Sequence, residues 1–430
     1  MSLRSVIAPV VSTLITSERL RARRAGRAEK LRARRGRPHE IHYFHQVEDP
    51  YSLLAAGALP ALAARAGVEI VPHLVPPPPD WAAPERRMLE TFARRDAADL
   101  AGHLGLAGQD FGRPPAPAQA HEAAGKLAAA IAEGRFVADA AAITAATWGG
   151  AAVAAPAADP TESLRAGDAL RQELGHYLGA TFHYAGEWYW GLDRLHYLES
   201  RLDGLDARRR DGGPSPQFPR TRLRLMPELA GRLAGRPLEL FFSFRSPYSY
   251  IVLPRVYALA AHYGAELRLR FVLPMVTRGL PVPAAKRLYI VRDTKREAVS
   301  EGLPFGRIVD PLGKAVERGL AILHHAVGQG PGAGQDFALS FLSGVFADGI
   351  DAASDKGLRQ IVERAGLDWA VARPAMASDA WRGTAEVNRQ AMIDLGLWGV
   401  PSLRFGEVST WGQDRLWRIE AAMIDAAANL

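Results

Sequence analysis

The run Leu238-Glu239-Leu240-Phe241-Phe242 leads through Ser243-Phe244-Arg245 into Ser246-Pro247-Tyr248-Ser249 and then a helix-like stretch from Tyr250 to His262. An apolar strand feeding a helix start is the simplest reading of this order. Ser246 fits the N-cap and Pro247 the first helical position, where a missing N–H costs nothing. The free N–H groups and the positive dipole end of such a helix favour an anion, a thiolate sulfur included. With Cys at 246 and 249 the same tetrapeptide would be a C-x-x-C pair. The chain has no cysteine. Dithiol–disulfide exchange needs a thiolate to attack a disulfide, so that chemistry is excluded. A serine hydroxyl can still donate a hydrogen bond to a sulfur anion brought by another molecule. The competing reading is a plainly capped helix after a strand.

A second segment near the end of the chain favours a site. Leu397-Trp398-Gly399-Val400-Pro401-Ser402-Leu403-Arg404-Phe405 reads as a strand with a proline near its start, followed by Trp411-Gly412-Gln413-Asp414-Arg415-Leu416 at a last helix. Proline at such a place belongs to an edge, a bulge or a turn, and a cis bond is one way to hold it.

With these pieces in view, residues 238–426 resemble the glutathione-dependent 2-hydroxychromene-2-carboxylate isomerases and the kappa-class glutathione transferases, which share the DsbA-like branch of the thioredoxin fold. The matching blocks are Phe242 to Tyr250, Pro283 to Asp293, Pro304-Phe305-Gly306-Arg307, Gly399-Val400-Pro401 and Trp411 to Leu416. The resemblance implies glutathione as cofactor and Ser246 as the group that holds its sulfur. It implies that Val400 offers its backbone to the cysteinyl unit, with Pro401 cis, a contact of the strand-addition kind. Gln413 and Asp414 would grip the γ-glutamyl end, Asp414 through its ammonium group. Lys286 and Arg287 would lie near the second substrate and steady carboxylate or enolate charge. No metal is called for. The family often carries Gly-Asn ahead of the Pro-x-x-Lys segment; here Gly279 is followed by Leu280 and a shorter loop. The implied function is a glutathione-dependent isomerase or transferase acting on a small conjugated carbonyl compound of the aromatic-degradation type. The alternative is a non-catalytic thioredoxin-like scaffold or peptide binder, since fold alone does not fix function.

The first half repeats the second. Asp49-Pro50-Tyr51-Ser52 aligns with Ser246-Pro247-Tyr248-Ser249 at a shift of 197, and the same shift places Arg95-Asp96 on Arg292-Asp293. Phe111-Gly112-Arg113 falls on Phe305-Gly306-Arg307, and Trp190 to Leu195 falls on Trp411 to Leu416. Blocks that keep order and spacing indicate tandem duplication. The first copy lacks the chemistry: Asp49 stands for Ser246, where a carboxylate would repel a thiolate, and Ala180 stands for Pro401. Its expected job is packing or presenting a surface; the other reading is a changed activity with Asp49 as a base.

The expected class is α/β, with two tandem thioredoxin-like domains, each with an inserted helical subdomain. The divisions are a basic arm at 1–40, a degenerate domain at 41–202, a linker at 203–237 and the site-bearing domain at 238–430. Met226 to Leu233 reads as a short helix, and Gly328 to Gly334 as a loop rather than a dinucleotide cradle, because it follows a helix instead of a strand. His42 and His45 would face opposite sides of one strand. Trp398 and Trp411 read either as core or as walls of the site beside Pro401.

Residues 1–40 hold eleven Lys or Arg against three Asp or Glu, a net +8, which leaves the other 390 residues at −1 of the chain's +7. A near-neutral body argues against nucleic acid as a partner. The apolar segment Val6 to Ile15 is too short to span a bilayer and lacks the features of a signal peptide. The arm is either a solvated basic helix or an interfacial anchor on anionic lipid, with Val6, Ile7, Val10, Val11, Leu14 and Ile15 inserted. The expected partners are thus a small-molecule substrate, a weak anionic-membrane contact through residues 1–37, and domain–domain or homodimer packing, in a cytoplasmic protein peripheral at most to the membrane.

Overall fold

The computed structural model describes residues 3–106, 111–152, 154–280 and 282–430, without the side chains of 3–6, 278 and 331. Two helices open the chain, α1 (Leu3–Ile15) and α2 (Glu18–Arg34). Among the described residues no helix is long and apolar enough to cross a membrane. The chain, these helices included, divides into two compact units. One comprises residues 22–221 with 283–286; the other comprises 1–21, 222–282 and 287–430.

In the N-terminal unit β1 (His39–His45) runs through α3 (Pro50–Ala56) and α4 (Leu59–Ala63) to β2 (Val68–Leu74). Four helices follow, α5 (Arg86–His103), α6 (Pro117–Ala132), α7 (Phe136–Trp148) and α8 (Thr161–Glu173). The hairpin β3 (Thr181–Tyr184) and β4 (Glu187–Trp190) and then α9 (Gly191–Asp203) close the unit. The sheet order is β2-β1-β3-β4, with β1 parallel to β2 and antiparallel to β3. On α8, a Cβ added at Gly167 would run into the Leu74 carbonyl, so this close approach to β2 requires glycine.

The C-terminal unit has the same plan. β5 (Pro237–Phe242) leads into α10 (Pro247–Tyr263) and β6 (Glu266–Phe271). The inserted helices are α11 (Ala284–Ser300), α12 (Lys314–Gln329), α13 (Pro331–Ser343), α14 (Asp355–Arg364), the short α15 (Trp369–Ala372) and α16 (Ala380–Asp394). The hairpin β7 (Ser402–Phe405) and β8 (Val408–Trp411) precedes α17 (Leu416–Ala428). The sheet order is β6-β5-β7-β8, again with one parallel and two antiparallel pairings. β5 is central and almost wholly buried, which is why it reads as an apolar run instead of alternating. Its one charge, Glu239, is paired with Arg270 on β6.

α10 sets the position of the site. Ser246 caps its N-terminus and Gly264, at φ +75°, ends it with N–H bonds to Ala260 and Ala261 carbonyls. Leu253, Val256 and Leu259 are fully buried beneath it. Each contributes about 1.5–3 kcal/mol of apolar burial, which holds the helix start in place.

Two local expectations are corrected. Met226 to Leu233 contains only a 3-10 turn, Pro227–Leu229, because Ala230 turns extended at ψ 133° and the Gly231 and Leu233 N–H groups go to the His262 and Tyr263 carbonyls. Gly328 to Gly334 is a sharp helix–helix junction: α12 ends at Gln329, Gly330 breaks at φ +144°, and Pro331 begins α13.

Candidate functional site

Ser246 has extended backbone angles, φ −96° and ψ 112°, and its Oγ accepts the Ser249 N–H at 3.1 Å. The hydroxyl donates to the Val400 carbonyl at 3.4 Å. Val400–Pro401 is a cis bond immediately before β7. Among the described residues the Val400 N–H has no partner. One residue thus presents an unpaired amide and a carbonyl bonded only to a hydroxyl, beside a helix N-terminus. This is the pair of groups an extended peptide needs to add itself as a strand. Ser246 is half-buried, so the hydroxyl is reachable, while Ser249 is buried and accepts the Ser243 N–H at 3.4 Å.

The floor of this segment is aromatic. The Trp398 and Trp411 rings lie 4.5 Å apart at 52°. A Cβ on Gly399 would fall 2.6 Å from Trp411 Nε1, so Trp411 is pressed against the chain just ahead of Val400. The Pro401 carbonyl accepts the Gly412 N–H at 2.9 Å, which ties the loop to the end of β8. Trp398 is buried and Trp411 half-buried.

Gln413 is 1% exposed and its amide is occupied inside the protein. Its Oε1 accepts from Arg255 on α10, and its Nε2 donates to Glu297 Oε2 at 2.9 Å on α11 and to Asp414. Asp414 itself is half-buried. Gln413 therefore orients Asp414 and joins α10 to α11; sequence reasoning placed it on a ligand and missed Arg255 and Glu297 altogether. Both lie on helix faces with no motif around them.

Lys286 and Arg287 are joined to none of these residues. Lys286 groups with the N-terminal unit, donates to the Ala82 carbonyl at 3.3 Å and lies 5.9 Å from the Tyr177 ring centre. Burial lowers its pKa. Arg287 is exposed in the first turn of α11. Among the described residues no group of three or more His, Cys, Asp or Glu is placed to hold a metal ion.

The equivalent place in the N-terminal unit is built differently. Asp49 caps α3 with φ −94° and ψ 116°, the same geometry as Ser246. Its carboxylate accepts the Tyr51 N–H at 3.1 Å and the Ser52 hydroxyl at 3.0 Å. Burial pushes its pKa up to about 6, against the lowering effect of those hydrogen bonds. Ala180 sits at φ +52° and its N–H donates to Ser52 Oγ at 2.9 Å. Ser52 Oγ also accepts the Gln46 N–H at 3.2 Å. Proline has no N–H to give, so Pro401 cannot close its loop onto Ser249 in this way. In the first unit the loop is closed on the helix start; in the second the hydroxyl of the N-cap is left facing Val400.

Residues 237–423 match the family model of the DSBA-like thioredoxin domain. The C-terminal half is a DsbA-like thioredoxin domain. It has homology to 2-hydroxychromene-2-carboxylate isomerases. The Pseudomonas putida enzyme of that name is 24% identical over 194 residues, which cover 43% of this chain and 93% of the relative. A second, from a Pseudomonas species, is 26% identical over 200 residues, covering 45% and 92%. Among solved structures, a selenomethionine form of 2-hydroxychromene-2-carboxylate isomerase is similar at 22% identity and a TM-score of 0.40, over 45% of this chain and 97% of that one. A probable DsbA oxidoreductase from Streptomyces coelicolor is similar at 20% identity and a TM-score of 0.35, over 45% and 91%.

Proposed function

We propose that the C-terminal DsbA-like domain is a glutathione-dependent isomerase or transferase for a small conjugated carbonyl compound, in a tandem duplication whose first copy has lost the site. The observation that carries this reading is the Ser246 hydroxyl, at the N-terminus of α10 and 3.4 Å from the carbonyl of Val400. When bound, glutathione supplies a thiolate able to add to a conjugated double bond and leave again after rotation.

The residues present fit that cofactor. Val400 has an N–H without a partner among the described residues and a carbonyl that accepts the Ser246 hydroxyl, the two groups a cysteinyl backbone would take. Ser246 can turn its hydroxyl from Val400 to a sulfur anion, and the positive end of α10 favours the ionised sulfur. Asp414, held by Gln413, is the acid for the ammonium end. Gln413 is a positioning residue here. With Lys286 held at Ala82 and Arg287 exposed in the first turn of α11, the charge of a developing enolate falls to the α10 N-terminus. The absence of cysteine removes dithiol exchange from consideration.

Isothermal calorimetry of the full chain with glutathione is the direct test. Binding is expected, and Ser246→Ala is expected to raise the pKa of the bound thiol, followed by thiolate absorbance. Silence at millimolar glutathione would remove the reading and leave a thioredoxin-like scaffold, which the inward commitment of Gln413 and Lys286 also accommodates.

A further inference from the structure

α1 is mounted inside out. Its Pro9, Ser12 and Thr16 lie on one face, at spacings of three and four. Pro9 and Thr16 are buried; Ser12 Oγ accepts the Ile308 N–H at 2.9 Å, and Thr16 Oγ1, which donates to the Ser12 carbonyl at 2.7 Å, lies 3.4 Å from the Gly306 carbonyl. Gly306, at φ +130°, has no room for a Cβ because Thr16 occupies that space. The helix therefore docks on the C-terminal unit by its hydroxyl-bearing side. The opposite side carries Ile7, Val10, Val11, Leu14 and Ile15, spaced i, i+3, i+4, i+7 and i+8, and these are 38–61% exposed. An amphipathic helix ordinarily buries such a stripe in its own core. Here the Ser12–Ile308 hydrogen bond and the Thr16 side chain packed against Gly306 hold the stripe outward. The Val6 side chain, expected in the same stripe, lies outside the described residues.

From this geometry we infer that α1 is a docking helix for an anionic lipid surface, with the Ile7–Ile15 stripe inserted at the headgroup–acyl boundary. Charge selects this occupant. Two residues after α1 the chain enters α2, with eight Lys or Arg against two Glu and no buried residue. Every cation of α2 except Arg32 is exposed, and Arg35 and Arg37 follow, exposed as well. An apolar stripe joined to a dense cationic helix is the arrangement that interfacial helices use on anionic membranes. A second copy of the chain would bring two such cationic helices together, which like-charge repulsion opposes. Nucleic acid would use the cations but leave the stripe wet.

The test is co-sedimentation of the full chain with vesicles of phosphatidylcholine alone and of an equimolar phosphatidylcholine–phosphatidylglycerol mixture. The expected result is binding to the mixed vesicles and little to the neutral ones. It should weaken as salt rises from about 0.1 M to about 1 M, where the screening length falls from roughly 10 Å to 3 Å. Val10→Asp with Leu14→Asp, both exposed and away from the docked face, should cut binding by roughly tenfold or more while the melting curve stays unchanged. Three results overturn the inference: no binding by the intact chain, equal binding by the double variant, or a dimer that the double variant converts to monomer without any vesicle binding.

Discussion

Tyr248 donates its hydroxyl proton to Asp293 Oδ2 at 2.7 Å, and Tyr51 does the same to Asp96 Oδ2 at 2.7 Å, 197 residues earlier. In each unit the tyrosine sits two residues past the N-cap of the helix after the first strand. In each the aspartate is buried on the first inserted helix. The bond ties the site-bearing helix to the insertion, and its recurrence supports the duplication proposed above. Asp293 also accepts from Arg296 at 2.7 Å. Loss of a hydrogen bond to a buried charged group costs about 1.5–3 kcal/mol. Tyr248→Phe is therefore expected to lower stability by that amount, and Tyr51→Phe by a similar amount, in chemical denaturation. A change below about 0.5 kcal/mol, the range of ordinary surface substitutions, in both variants would show the pair to be incidental.

The Ser246 position can be probed with the thiol that redox relatives of a C-x-x-C type keep there. Since the chain has no cysteine, Ser246→Cys introduces the sole thiol. At the N-cap of α10 its pKa is expected below the ~8.5 of a free cysteine, read from the pH dependence of iodoacetamide alkylation. A thiol titrating at or above that value would mean that the α10 terminus does not favour a sulfur anion, and the proposed function would lose its electrostatic basis.

Much of this was legible in the sequence because its signals are local. The strand at Leu238–Phe242, the Ser-Pro cap and the strand after Pro401 are all carried by residues adjacent in the chain. The two units could be aligned from short blocks, and the like ordering of the two sheets follows the same division. What escaped were partners brought together by folding. Arg255, Glu297 and Gln413 come from three helical elements with no shared motif. Gln413 looked like a ligand contact because its neighbours in sequence are those of a binding segment, whereas burial decides its use. For Lys286 the matching segment implied a place near the second substrate, and its sequence neighbours do not disclose that its amine reaches the Ala82 carbonyl. Nor does any periodicity reveal that α1 faces outward, since the stripe would look the same if it were buried.

If Gln413 works from inside, its replacement should register first as instability. Gln413→Leu removes one acceptor of the Arg255 guanidinium and the amide donor to Glu297 Oε2, a loss of about 1–3 kcal/mol. Glutathione affinity should fall with it, as Asp414 loses its orienting amide. Denaturation and calorimetry on the same variant separate the two roles. Weakened binding at unchanged stability would place the amide on the ligand itself.

Acid should unsettle the N-terminal unit before neutral pH does. Burial holds the His45 imidazole at a pKa of about 3, and burial together with His42 holds His73 and His183 at about 4. An unfolded histidine titrates near 6.5, so between about 6.5 and 4 the unfolded chain binds more protons and stability falls as pH falls. Each such histidine removes roughly 1.4 kcal/mol per pH unit within its window. Asp49 works in the other sense. Its carboxyl, raised to about 6, keeps a proton in the folded state that the unfolded chain releases near 4, so its contribution is present in acid and is lost as pH rises through 6. Three histidines outweigh one aspartate, and the net limb should descend toward acid. Asp49→Asn removes the opposing group, so its melting temperature should drop more steeply than that of the parent chain from pH 6 to pH 4. A shallower descent in the variant would mean that Asp49 is ionised in the folded protein throughout this range, and that the closed loop at Ala180 does not keep water from its carboxylate.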